Sequence, residues 1–502
     1  MIFDLLSTIA KTPGPDSLVD LFSRLFSSWT LWTIVILVTQ IFAILSIMNV
    51  VMRARTVTGT WAWALALFSF PVLAVPLYWI FGRRTFRGYF ERMRDVREKH
   101  EDLMEEVSEA LRPHFIDYLP DKYRDFSVLE KLSERRFSDD NQVELLINGE
   151  ATFDSIFEAI DNAKSYVLIQ FFILKDDNLG QELQKRLIEK AKEGVRIFVL
   201  YDEIGSHKLS SAYVATLRKG GAQASAFHTR RGKSNRFQIN FRNHRKIVVV
   251  DGAAAFVGGH NVGDEYLGKS ERFGNWRDTH VKVRGPSVLS IQFIFLNDWY
   301  WATREIPSLD WFPKFQAPSN GMTVLPLPTG PIDEVEGATL FFLNAINNAD
   351  EKIWITSPYF VTDESIRAAL QLAAMKGIDV RIMIPFKPDK YTPWLATFSY
   401  LAEMEAAGVL IFRYTDGFLH QKTMLIDDRL GSVGTANLDN RSLRLNFEIS
   451  IIVLDKSFCS ELETMLVADF KKCHEVGAKD YTERPLWFRI GVRIARLAAP
   501  IL

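Results

Sequence analysis

The sequence predicts an α/β protein of two homologous lobes related by approximate two-fold symmetry, preceded by an N-terminal transmembrane helical hairpin. Three observations carry this prediction. Residues 25–52 and 56–82 hold no charged side chain. The remainder repeats one helix–strand–helix–strand plan twice, and each copy ends in the same spacing of His, Lys and Asp.

Residues 1–28 precede the hairpin, which occupies residues 29–82 with spans at about 29–51 and 60–81. Each uncharged stretch exceeds the roughly 20 residues that cross about 30 Å of hydrocarbon as a helix. The first is nearly continuous Ile, Leu, Val and Phe. The second carries Pro71 and Pro76, tolerated in a membrane helix where neighbours satisfy the freed carbonyls. Trp29, Trp32, Trp61, Trp63, Tyr78 and Trp79 lie near the ends, where amphipathic rings prefer to sit. A cleaved signal peptide has a shorter apolar region and a small-residue cleavage site; a pair of buried core helices is the other alternative. The turn between the spans is short, so both outer ends fall on one side. Arg83, Arg84, Arg87, Arg92 and Arg94 follow the second span, and the positive-inside rule places that flank, and the chain after it, in the cytoplasm. Arg53 and Arg55 in the turn oppose this, since Lys11 and Arg24 only match them in number.

Residues 83–135 form a charged linker region, with 91–111 in a helical pattern read as solvated. The first lobe is assigned to residues 136–328 and the second to 329–482, with a boundary at 328–332 marked by Gly330 and Pro331. The first copy reads AIDNAKSYVLIQFFIL from Ala159 and GVRIFVLYD from Gly194; the second reads AINNADEKIWITSPYFV from Ala345 and GIDVRIMIPF from Gly377. Apolar strands alternating with helices argue for largely parallel sheets. Phe171, Phe172, Tyr359 and Phe360 end the first strand of each copy, as acyl-chain contacts or as core. The tail, 483–502, is an amphipathic helix with Arg489, Arg493 and Arg496 on one face and Trp487, Ile490, Ile494 and Leu497 largely opposite. It suits an anionic leaflet or closure of the second core.

With 60 basic and 61 acidic residues, net charge −1, the chain has no excess to hold a nucleic-acid polyanion. Its two cysteines, Cys459 and Cys473, make no disulfide framework. Self-association into a homo-oligomer is compatible with the sequence, which fixes no oligomeric state.

NHRKIVVVDG supplies His244, Lys246 and Asp251, then Gly258, Gly259 and Asn261; LHQKTMLIDD supplies His420, Lys422 and Asp427, then Gly434, Thr435 and Asn437. A loosened H-x-[KR]-x4-[DE] occurs by chance about 0.13 times in this composition, so two matches with the same trailing G-x-x-N carry weight. His and Lys two apart on a strand share a face and reach one ligand. These six His, Lys and Asp residues are the candidate catalytic set. Within it Asp251 and Asp427, at strand ends in turn contexts, read as supporting the fold. Lys246, Lys422, Asn261 and Asn437 suit a phosphodiester, whose charge shifts among oxygens in the transition state. A histidine attacks phosphorus when neutral and donates a proton when charged. No cluster has metal-ligand spacing, so neither metal nor other cofactor is expected.

The duplicated H-x-K-x4-D resembles the phospholipase D superfamily. FRNHRKIVVVDG, GGHNVGDEYLG, WRDTHVKVRG, HQKTMLIDD and GTANLDNRSLRLNFE, with the hydrophobic hairpin ending in FGRR, resemble bacterial cardiolipin synthases. The resemblance implies two phospholipase D-like lobes in a multi-pass protein of the bacterial inner membrane. It implies transfer of a phosphatidyl group between two phosphatidylglycerol molecules through a phosphatidyl-histidine. Acids beyond each motif orient the histidines in that superfamily, which points to Asp278 and Glu448. The motifs are equivalent in form; by analogy His244 is the nucleophile and His420 the general acid/base. Gly259 stands where the family often has Ser or Thr, which removes one hydroxyl. His260 is given no role. A hydrolytic phospholipase D, a phosphodiesterase or nuclease, and a non-enzymatic scaffold are the competing functions.

Overall fold

An uncharged run ending at Arg53 forms one helix, Trp29–Arg53, and 21 residues of it, Trp32–Met52, are long and apolar enough to cross a membrane. The computed structural model describes residues 29–53, 57–82, 89, 105–107, 109, 111–228, 240–311, 318 and 320–502. They fall into two compact units, principally the chain up to Arg84 and the chain from Thr85 onward.

In the first unit the expected second span is not one helix. Val57–Ser69 stops at Phe70 (φ −134°), because Pro71 disfavours helical backbone in the residue before it. Pro71–Leu77 restarts with that proline at its N-terminus, and a π-helical turn, Tyr78–Gly82, follows Pro76. These pieces pack on the long helix through Ala43, Val50, Leu67, Ala74 and Tyr78. Tyr78 Oη donates to Asn49 Oδ1 at 2.7 Å and Trp79 Nε1 to Ser46 Oγ at 3.1 Å. The polar groups of an apolar hairpin thus satisfy one another, as a hydrocarbon surrounding demands.

The second unit carries a 16-stranded sheet. In the first lobe Tyr166–Phe171 runs parallel to Arg196–Asp202, which runs parallel to Gln223–Phe227. On its other side follow Ile247–Val250, Ala254–Gly258 and Thr279–Arg284, each antiparallel to the last. The second lobe repeats this order. Lys352–Thr356 lies beside Asp379–Pro385 and Leu410–Tyr414 in parallel, then Thr423–Ile426, Leu430–Gly434 and Asn446–Leu454 follow antiparallel. Two antiparallel strands, Ser138–Ile147 and Met322–Thr329, join the halves, the former on Thr279–Arg284 and the latter on Asn446–Leu454. Met322–Thr329 is therefore the entry strand of the second copy. Pro326 and Pro328 are accommodated within that strand, which runs into the 328–332 stretch.

Most of the helical pattern at 91–111 lies outside the described residues. Phe126 and Leu129, farther along the 83–135 region, are fully buried in the second-lobe core, so residues 121–133 are packed against that lobe. Tyr89 is buried as well. Of the strand-end aromatics, Phe171 and Phe360 are core. Cys459 and Cys473 are free thiols.

Candidate active site

Each motif histidine is aimed by a short parallel bridge to the other lobe. Arg242–Asn243 pairs with the start of Asn446–Leu454, and His244 N–H donates to Phe447 O at 2.9 Å. Phe418–Leu419 pairs with Trp276–Arg277, and His420 N–H donates to Arg277 O at 2.8 Å. The residue after each bridge acceptor is an acid, so the carboxylates cross between lobes. His244 Nδ1 lies 2.9 Å from Glu448 Oε2 and 3.2 Å from Thr435 O. His420 Nδ1 lies 2.7 Å from Asp278 Oδ2.

The partners of His244 Nδ1 can only accept, so its Nδ1 is the protonated nitrogen and its Nε2 presents a lone pair; at His420 the Asp278 carboxylate favours the same tautomer, with the Lys422 ammonium competing for Nδ1 at 2.8 Å. Burial is the main force holding each imidazole pKa down to about 4, with the nearby ammonium groups of Lys246 and Lys422 adding to it. Burial also lowers Lys246 to about 7 and Lys422 to about 8. Burial works to raise Asp278 and Glu448, but lysine and histidine neighbours offset it, and both stay below the ordinary carboxylate range. Lys246 Nζ donates to His244 O at 2.7 Å. Lys422 Nζ donates to His420 O and sits 2.8 Å from His420 Nδ1. Both histidines and both lysines therefore lie in one buried site, where each lysine acts on both rings and the carboxylates of Asp278 and Glu448 balance the two ammonium groups. Phe172 packs edge-on to His244, with ring centroids 4.9 Å apart, and Trp276 lies 5.2 Å from His420.

The structure separates the remaining candidates. Asp251 and Asp427 are not brought to the pocket. Asp251 accepts the backbone N–H groups of Lys164, Ser165 and Tyr166, and Asp427 those of Asp350, Glu351 and Lys352. Both occupy the left-handed region (φ 53° and 52°), where the strand must reverse within a few residues. Grouping them with the catalytic His and Lys is corrected accordingly: every one of these contacts ties a strand end. Asn261 is buried, with Oδ1 accepting from Ile173 N–H and Nδ2 donating to Tyr266 Oη. Asn437 Nδ2 donates to Asp439, and its Oδ1 meets no partner among the described residues.

Several residues were missed. The residue between His and Lys, in the short connection that leads into Ile247–Val250 or Thr423–Ile426, joins a buried acid network. Arg245 Nη1 bonds Asp298 at 2.9 Å, and that carboxylate also accepts from Tyr89, Gln170 and Asn243. The second lobe uses Gln421 and Arg277 on Asp469, each at 2.7 Å. The available signal in the first lobe was a lone acid, Asp298, inside the apolar helix Ser287–Thr303; in the second lobe Asp469 shares Lys456–Phe470 with Glu461 and Glu463 and did not stand out. Gly259 was read as a lost hydroxyl, yet a Cβ there would sit 1.9 Å from Asp278 Oδ1. Its absence lets the carboxylate reach His420. His260 and His280 are buried against each other, with their Nδ1 atoms 3.1 Å apart. Among the described residues, no group of three or more His, Cys, Asp or Glu is placed to hold a metal.

Two lobes sharing one pocket with paired histidines, lysines and crossed carboxylates define an enzyme of the phospholipase D type, a phosphatidyltransferase. The family model described as "Cardiolipin synthase, PLD-like domain" matches residues 156–273 and 342–470, and "Phospholipase_D-nuclease N-terminal" matches 40–83. Cardiolipin synthase A of Pseudomonas putida (strain GB-1) is 47% identical over 467 residues, 92% of this chain and 97% of the relative. Cardiolipin synthase A of Pseudomonas fluorescens (strain SBW25) is also 47% identical, over 91% of this chain and 96% of the relative. The chain belongs to the bacterial cardiolipin synthase family. The fold is shared with phosphatidylserine synthase of Haemophilus influenzae Rd KW20 (TM-score 0.53, 17% identity, 72% of this chain and 95% of that one).

Proposed function

We propose that this enzyme transfers a phosphatidyl group from one phosphatidylglycerol to the terminal hydroxyl of a second, giving cardiolipin and glycerol. The crossed histidine–carboxylate pairing supports this best, because it leaves two Nε2 lone pairs beside two ammonium groups. His244 Nε2 attacks phosphorus, the bond to the departing glycerol oxygen breaks, and protonated His420 gives that oxygen its proton. The bound phosphodiester is anionic, so its arrival raises the His420 pKa and supplies the proton when it is needed. Neutral His420 then takes the proton of the acceptor hydroxyl. That oxygen attacks phosphorus, the P–N bond breaks and His244 is restored. Lys246, Lys422 and the amides of Asn261 and Asn437 offset the charge on the phosphoryl oxygens. Asp251 and Asp427 take no part in these steps. We place the lobes at the cytoplasmic face of a bacterial inner membrane, with the chain crossing twice, on the strength of the arginines from Arg83 to Arg94.

The test is incubation of the detergent-purified chain with phosphatidylglycerol alone, followed by mass spectrometry of the lipids. Cardiolipin and glycerol are expected, and both vanish in His244→Ala and in His420→Ala. Phosphatidic acid in place of cardiolipin would make water the acceptor and the enzyme a hydrolase. A covalent phospholipid adduct is expected to accumulate in His420→Ala and to be absent from His244→Ala; the reverse exchanges the two roles.

A further inference from the structure

The C-terminal helix, Leu486–Leu497, sits on the second lobe by one narrow face. Val492 and Ala495 join the second-lobe core, and Phe488 meets Phe398 edge-on at 5.2 Å. Its three arginines lie against protein groups: Arg493 Nε donates to Tyr481 Oη at 3.0 Å, Arg489 lies 5.9 Å over the Tyr481 ring, and Arg496 lies 4.9 Å over the Tyr400 ring. The outward stripe is apolar, with Leu486 68%, Trp487 74%, Ile490 51%, Ile494 62% and Leu497 80% exposed. Such a stripe is one helical face with nothing against it among the described residues.

The neighbouring helix, Tyr391–Thr397, extends the patch with exposed Tyr391 and with Trp394, 6.4 Å from Phe488. The loop entering that helix reaches the pocket. Asp389 in it accepts from Tyr359 Oη and adds to the field on Lys422, and Lys390 Nζ lies 5.9 Å over the Tyr359 ring. The apolar stripe is therefore linked to the wall of the active site by a few residues of chain.

We infer that this face is a membrane-docking surface, the stripe sinking into the headgroup region of an anionic leaflet and holding the pocket against the lipid. Charge complementarity selects the occupant. Arg484 lies 5.6 Å over the Phe488 ring and Lys390 adjoins exposed Tyr391, so cations edge the apolar residues, and Glu483 is the lone side-chain carboxylate in the final twenty positions. A Trp-bearing apolar stripe with a cationic rim fits an anionic bilayer. The inference rests on the proposed reaction only in that its two-chain substrates stay in the bilayer.

The first experiment uses the full chain in vesicles of phosphatidylcholine and phosphatidylglycerol, with and without phosphatidylcholine brominated on its acyl chains. The emission that Trp487→Phe removes is expected to be quenched by the brominated lipid, whether or not cardiolipin is formed. An unquenched Trp487 component overturns the inference, and cross-linking between Ile490→Cys copies would then assign the face to self-association. A triple variant, Trp487→Ser with Ile490→Ser and Ile494→Ser, changes only exposed side chains. The surface fraction of phosphatidylglycerol giving half-maximal rate is expected to rise on the order of tenfold, with turnover of a water-soluble short-chain phosphatidylglycerol unchanged. An equal loss on both substrates makes the stripe structural and overturns the docking role.

Discussion

Asp251 and Asp427 each accept three backbone N–H groups, whereas Asp278 and Glu448 each hold one histidine, so the two pairs fail differently when neutralised. Asn tolerates the left-handed backbone at Asp251, so Asp251→Asn isolates the loss of charge-assisted hydrogen bonds. It is expected to cost about 2–4 kcal/mol in unfolding while the turnover number of the folded enzyme stays near wild type. Asp278→Asn leaves His420 without its anchoring anion, and turnover is expected to fall about a hundred- to ten-thousandfold. Unfolding midpoints and turnover measured on both variants check this, and a hundredfold drop in turnover for Asp251→Asn would return that residue to the site. His244, Lys246, His420 and Lys422 stood out in the sequence through the duplicated spacing, although they lie just before the strands Ile247–Val250 and Thr423–Ile426 and not within them. The crossing was not, since the partners lie 142 and 204 residues apart and no local period records a bridge between lobes.

The short segment that carries each His-x-Lys pair into the next strand is held from two directions. His244 and Lys246 face the pocket, and the intervening Arg245 enters the acid network, clamping the segment to the helix Ser287–Thr303. Asp298→Asn strands Arg245 as an uncompensated buried cation and is expected to cost about 3–5 kcal/mol. Adding Arg245→Gln, the residue type the second lobe carries as Gln421, removes that cation, so the double variant is expected to be more stable than Asp298→Asn alone. Denaturant titration of the detergent-solubilised chain decides it, and additive losses would mean that the two side chains do not act as a pair. At this scale the repeated strands and helices were legible from their apolar runs. The break at Phe70 was signalled by Pro71 but overridden by the length of the apolar stretch. The C-terminal helix closes the second core through Val492 and Ala495, with the Trp487 stripe left exposed.

The two lobes match in strand order but not in what fills them. Where the first lobe buries His260 and His280, the second has Ala436 and Ser450 at the equivalent positions, lining a small cavity beside Lys422. Burial lowers four histidines: His244, His260 and His420 to about 4, and His280 well below its ordinary value. The unfolded chain takes up protons at these groups near pH 6.5 while the folded chain does not, so stability falls as pH drops from about 6.5 toward 4. Each histidine contributes up to about 1.4 kcal/mol per pH unit in that window. Buried Asp202, raised to about 6, and Asp439, also raised, act with opposite sign, because the folded state holds their protons more tightly. Two carboxylates against four histidines leave the histidines ahead. Below that window Asp278 and Glu448, whose pKa values are depressed, lose their own stabilising contribution on protonation. His260→Ala combined with His280→Ser gives the first lobe the second lobe's residues. The variant is expected to be less stable at pH 7 through lost packing, but its stability should depend less steeply on pH between 6.5 and 4, by up to about 1.4 kcal/mol per unit for each histidine removed. Denaturant midpoints across that range measure the slope. A slope equal to wild type would mean that the folded lobe protonates the pair as freely as water does, and the asymmetry between the lobes would then be one of packing alone.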